Sequence, residues 1–191
     1  MSLETVKAAI VQHLTTEYRQ TRRVHKVEGH RGRFETVDEI KRIAARCPAL
    51  LVSTDGVRNL GETYGRHQGI WGDASFCIYV LTKDLPGQPR DTQAEQLVGA
   101  LAHTITDNDW GCEAQIPKNV DARNLTTTAI DRLGVALWAI AWRQAILIEQ
   151  AEVLPLADFE RLHIDYDLAE GDGEPVATDH IILTTQQETT P

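Results

Sequence analysis

No run of the 191 residues stays apolar for the ~18 positions that a membrane-spanning helix requires. Cysteine is scarce: Cys47, Cys77 and Cys112 are odd in number and far apart. They build neither a disulfide framework nor a metal-ligand pair, which fits buried thiols in a reducing cytoplasm. The opening residues "MSLETVKAAIVQHL" lack a cationic leader and a small-residue cleavage site, so no secretory signal is expected. Signatures of nucleophilic catalysis are missing too. There is no G-x-S-x-G, no cysteine sits in a catalytic motif, and His13, His25, His67 and His103 are scattered. No internal repeat is visible.

What is present suits a globular protein: 42% hydrophobic and 25% charged residues, enough chain for one domain with a sizeable core. The expected organisation is one domain over residues 1–184 and a disordered polar tail over 185–191. A net charge of −9 conceals an asymmetry. Residues 19–33 hold six Arg/Lys (Arg19, Arg22, Arg23, Lys26, Arg31, Arg33) against one acid, Glu28, whereas residues 149–191 hold eleven acids and one base, Arg161. An acidic chain is a poor general nucleic-acid binder, although its basic segment has the charge to touch phosphate. The favoured reading is that the basic segment meets the acidic segment of a neighbouring copy, because opposite patches on one chain promote head-to-tail association.

Periodicity gives the elements. Ser2 caps a helix over about residues 3–18, with Leu3, Val6, Ile10 and Leu14 at helical spacing. The basic segment has no helical period and reads as a short edge strand or an extended loop. "TVDEIKRIAARCP" is a second helix, capped by Thr36 with Glu39 three residues on and ended before Pro48. "ALLVST" and "SFCIYVLTK" are strands, joined by a long link containing Gly56, Gly61, Gly65, Gly69 and Gly72. A third helix starts at Asp91 with Ala94, Leu97, Val98, Leu101 and Ile105 inward, and the stretch "WGCEAQIPKNVDARNLTTTAIDRLG" is largely irregular. "VALWAIAWRQAILIEQ" reads as a strand, because Trp138, Ile140, Trp142, Gln144, Ile146 and Ile148 share one parity. "LHIDYDL" and "DHIILTT" close the chain as strands around an acidic turn. Helices and strands mix without βαβ alternation. The expected fold is therefore α+β, a mixed and mostly antiparallel sheet with about three helices packed on it and a long glycine-rich hairpin loop.

Three patterns invite a chemical reading. Gly56-x-x-x-x-Gly61-Glu62-Thr63 has the spacing of a phosphate loop with glutamate where the lysine belongs. A carboxylate ~4 Å from a phosphate charge costs on the order of 4 kcal/mol at an effective dielectric near 20, and "YGRHQGIWG" is too rich in glycine to start the required helix. The link reads instead as a mobile loop. Asp38, Glu39 and Lys41 contain the E-x-K triplet of a metal-dependent nuclease class, but that chemistry needs a strand and these residues lie in a helical first turn. His163, Asp165 and Asp167 share one face of a strand and present a nitrogen and two carboxylates to a divalent ion, or simply to solvent. Trp138 and Trp142 read as core, while Trp71 and Trp110 sit in glycine-containing connections where an aromatic often anchors a contact.

The order of segments resembles a family encoded by Mu-like bacteriophages and prophages between the major capsid and tail sheath genes. "IVQHL", "CPALLVSTDG", "FCIYVLTKD", "NLTTTAIDRLGVALWAIAWRQAILI" and "FERLHIDYDLAEGDGEPVATDHIIL" carry the likeness over nearly the whole chain. Members look like tail terminators, which assemble as a hexameric ring on the finished tail tube, stop its growth and offer a surface to head-completion proteins. The resemblance implies a structural virion protein of the tail or neck, assembled in the bacterial host cytoplasm, with no catalytic residue and no cofactor. It implies itself and the tail tube protein as partners, sheath and head-completion proteins as further ones, no membrane, and nucleic acid only as DNA passing through the ring. The candidate self-assembly surface is Arg22, Arg23, Lys26, Arg31 and Arg33 against Asp165 and Asp167, and the candidate partner-contact loop carries Arg58, Arg66 and Trp71. Three alternatives stand beside this reading: a head-completion or neck protein, a metal-dependent phage enzyme such as a nuclease, and an accessory protein of a contractile injection machine.

Overall fold

A computed structural model describes residues 2–34, 36–62, 70–148, 161–166 and 177–182. The chain divides into two compact units, Met1–Ala151 and Glu152–Pro191.

The first unit is built on a five-stranded sheet in the order β1-β2-β3-β5-β4: β1 Lys26–Gly29, β2 Ala49–Glu62, β3 Ile70–Lys83, β5 Val135–Ile148 and β4 Lys118–Asn124. β1 runs parallel to β2 and every other pairing is antiparallel, so the sheet is mixed and mostly antiparallel as expected. Its spine is the β3–β5 pair, in register from Ile70↔Ile148 to Lys83↔Val135 without a break.

Period-2 alternation along β3 and β5 assigns side chains to two faces. On one face Ala74, Phe76, Ile78 and Val80 meet Ile140, Trp142 and Ile146, covered by α1 (Leu3–Leu14) and α3 (Arg90–Thr106). Of the inward residues expected on α3, Ala94, Leu101 and Ile105 are buried and Leu97 and Val98 pack at the margin. On the other face, Leu51, Leu81, Val135 and Leu137 meet Ile40 and Ile43 of α2 (Val37–Ala44) and Ile130 of α4 (Thr128–Asp131). The opposite parity of β5 is therefore also apolar where α2 and α4 cover it.

The helix starts follow from capping. Ser2 Oγ accepts the N–H of Thr5 and Thr36 Oγ1 that of Glu39, each satisfying a first-turn donor. The first helix differs from expectation at its end. It widens to a π turn over Thr15–Arg19, where Gln20 N–H reaches Thr15 O. Thr15 and Thr16 hydroxyls donate to the carbonyls of Val11 and Gln12, and such back-bonding competes with the helix ladder and loosens it.

Two further expectations are corrected. The stretch after Trp110 is not largely irregular: Lys118–Asn124 forms the edge strand β4 and Thr128–Asp131 a short helix. β4 is hard to see because it sits at the edge with all residues but Val120 exposed, so it needs no apolar alternation. The glycine-rich link is also shorter than Gly56–Gly72. β2 continues to Glu62 with shifts of register at Asp55 and after Arg58, and pairing resumes at Ile70. Residues 63–69 lie outside the described residues. Gly72 is in β3 because a Cβ there would stand 2.7 Å from Val57 Cγ1 and 2.9 Å from Leu60 Cδ2.

The second unit contains a two-stranded antiparallel sheet, β6 Arg161–Tyr166 and β7 Ala177–Ile182, with His163 opposite His180 and Asp165 opposite Thr178. Strands were expected from "LHIDYDL" and "DHIILTT", and both form, each starting and ending somewhat earlier. The tail at 185–191 lies outside the described residues.

Candidate functional site

The basic segment starts where the π turn ends. Arg22 N–H reaches Arg19 O and Arg23 N–H reaches Tyr18 O, the two closing bonds of a Schellman motif. Arg22 occupies the left-handed position of that motif (φ 61°), which glycine normally fills. Arg23 lies 5.9 Å over the buried Tyr18 ring, whose hydroxyl is fixed 2.7 Å from Thr104 Oγ1 on α3. Burial raises the Tyr18 phenol above its ordinary value, so it stays neutral.

The remaining bases of the segment divide by what they touch. Lys26, on β1, pairs with Glu28 at 2.6 Å, and Arg31 pairs with Glu39 at 3.5 Å. Glu39 also faces His30, whose Nε2 lies 3.6 Å from Glu39 Oε1 while its Nδ1 accepts the Gly32 N–H. Arg22, Arg23 and Arg33 are exposed and make no ion pair among the described residues. The self-assembly surface proposed from sequence thus reduces, on this unit, to three uncommitted guanidinium groups. Of its acidic half, Asp165 stands on β6 and Asp167 lies outside the described residues.

The contact residues Arg58 and Trp71 are strand residues. Arg58 is opposite Asp73, and Trp71 lies between Glu62 and Leu147 in the sheet. Arg66 lies outside the described residues. Arg58 borders a groove of about 590 Å³ on the sheet, shared with Asp55, Asp121, Arg123 and Arg143. Near the end of the hairpin, Leu60 and Ile70 are exposed.

The chemical patterns resolve as follows. Gly56 and Gly61 are within β2, which continues to Glu62, so among the described residues no helix starts at Gly61 to meet a phosphate, and Thr63 lies outside the described residues. Asp38 and Lys41 pair with each other at 3.1 Å on α2, and Glu39 turns to His30 and Arg31. His163 is on β6 with Asp165. Cys47 and Cys77 are buried, and desolvation pushes their thiols up to about 11 and about 12, while Cys112 is half-buried and its thiol is raised by the same cause. None of these thiols has the thiolate character a nucleophile needs.

A feature not recognised in the sequence is the knot around Gln144. Its Oε1 accepts the indole N–H of both Trp110 (2.9 Å) and Trp142 (3.2 Å), and its Nε2 donates to Asn108 O and Gln115 O. Trp110 is a buried core residue rather than a surface anchor, held in the left-handed region by its own N–H to Asn108 Oδ1. The available signal was a glutamine inside an apolar strand two residues from a tryptophan.

Residues 2–146 match the family described as Bacteriophage Mu, Gp37. The chain belongs to that family. The Mu Gp37 match spans the whole of the five-stranded sheet except the last residues of β5, together with α1 to α4. It ends before the acidic second unit. No curated protein matches the chain. Membership in the Mu Gp37 family makes this a Mu-like phage protein and points to a component of the virion. Among the described residues no helix is long and apolar enough to cross a membrane.

Proposed function

We propose that this Mu Gp37 family protein is a tail terminator, whose copies close into a ring, expected to be hexameric, that caps the tail tube. The ring stops tube polymerisation and presents the surface to which head-completion proteins dock, so its work is shape and charge rather than catalysis. The observation that carries the reading is the family match over residues 2–146, which sets the chain among Mu-like phage proteins. Arg22, Arg23 and Arg33 support it. They are exposed cations on a chain of net charge −9 whose residues 149–191 carry eleven acids, the complementarity that a head-to-tail ring uses.

The test is electron microscopy of the protein mixed with polymers of the cognate tube protein, with oligomer mass by light scattering. Rings at tube ends, and tubes of limited length, are expected. Tubes that keep growing past the added protein would refute the reading. Tight, salt-sensitive binding of duplex DNA would favour a neck protein, and Mg²⁺-dependent cleavage of DNA would favour the enzyme.

A further inference from the structure

A cleft of about 350 Å³ opens between the end of the first helix and α3, with Arg22, Arg23 and His25 on one side and Gln93, Gln96 and Leu97 on the other. Three observations describe its walls. Gln93 is only 6% exposed, and both its amide hydrogens are committed, to Lys83 O (3.1 Å) and Gln88 O (2.7 Å). Its Oε1 has no donor among the described residues, a buried acceptor that folding alone leaves unmet. Arg22 is held at φ 61° at a position where glycine would cost the backbone less. Strain of that kind is kept where the side chain has work to do. Arg23 is steered by the Tyr18 ring.

An occupant must bring negative charge to two guanidinium groups, beside an amide whose Oε1 is itself enclosed. An acidic peptide supplies that charge through its carboxylates. Every copy of this chain carries such a stretch in residues 149–191. We propose that the cleft seats an acidic stretch from residues 149–191 of a neighbouring copy. The inference rests on the ring reading and gives that ring its joint, because each copy supplies both a seat and a segment.

The probe is a fluorescein-labelled peptide of residues 162–180, which contains six carboxylates and no Lys or Arg. It is titrated onto the full chain by anisotropy at low salt, with oligomer mass measured in parallel. Saturable binding is expected, and excess peptide should lower the oligomer mass. Arg22→Glu with Arg23→Glu should weaken peptide binding by about tenfold or more, a loss of about 1.4 kcal/mol per decade, and abolish assembly. Arg22→Gly separates function from folding. Its denaturation midpoint should hold or rise, while its affinity for the peptide falls.

If these variants bind the peptide and assemble as the wild type does, the seat is wrong and the ring reading stands. If the wild type stays monomeric even with tube polymers present, the ring reading fails and the neighbouring-copy occupant fails with it, whatever the peptide does. A single-stranded oligonucleotide that binds the cleft more tightly than the peptide, and loses binding in the same variants, would overturn the acidic-peptide assignment.

Discussion

Replacing Gln144 by leucine is the most revealing single perturbation of this fold. The side chain is 1% exposed and makes four hydrogen bonds, two accepted from indoles and two donated to carbonyls. Leucine keeps the volume and removes all four. The carbonyls of Asn108 and Gln115 belong to part-buried bonds and recover some hydration. The indole N–H groups of Trp110 and Trp142 are fully enclosed and recover none. At about 1–3 kcal/mol for each buried group left unmet, less about 1 kcal/mol for the extra apolar burial, Gln144→Leu should lose about 3–4 kcal/mol. Urea denaturation followed by tryptophan emission measures this, with an unchanged slope showing that the unfolding transition is the same one. Near-UV circular dichroism should change as well, since Trp110, Trp142 and Phe76 stack within 6 Å of one another in sequence across the sheet (5.9 Å and 5.6 Å between centroids). Trp110→Phe removes one of the four bonds, so the double variant should lose less than the sum, with a coupling of at least about 1 kcal/mol. A loss below about 1 kcal/mol for Gln144→Leu, with additive behaviour in the cycle, would refute the idea that this glutamine organises the core.

The other predictions concern separate parts of the molecule. The thiols of Cys47 and Cys77 are raised from 9.0 to about 11 and about 12, so the stability they contribute is complete below about pH 9 and lost as pH rises through 11 and 12. Denaturation midpoints should fall across that window and fall less in Cys77→Ala, and Cys112 should react first with a thiol reagent at neutral pH. Gly72→Ala should destabilise the protein by about 1–3 kcal/mol, because its Cβ would overlap Val57 Cγ1, and thermal melting reads the loss. Thr36→Ala removes the acceptor for the Glu39 N–H and should cost about 1 kcal/mol, measurable by chemical denaturation, whereas Thr36→Asp should cost little.

The sheet and its main helices could be read from the sequence where burial imposes a period. β5 was legible because Ile140, Trp142 and Ile146 must face one layer, and α3 because Ala94, Leu101 and Ile105 recur at helical spacing. β4 was not, because "KNVDARN" at an edge gains its place from backbone pairing with β5 and buries almost nothing. The glycines misled for a related reason. Gly72 serves a close approach by Val57 and Leu60, a tertiary fact with no local trace. Charge located the basic segment, but only coordinates separate Lys26 and Arg31, already paired, from Arg22, Arg23 and Arg33. Gln93 carried no warning and Gln144 only its place in an apolar strand near Trp142, since most of their partners are brought in from other segments.

The uninterrupted pairing of β3 with β5 has a mechanical consequence. Fourteen successive partners at ~3.3 Å each make a beam about 45 Å long. No bulge interrupts this pair between Ile70 and Lys83. β2 beside it differs, since its register with β3 shifts at Asp55 and again after Arg58, so any bend of this sheet has its seat at that flank and not along the girder.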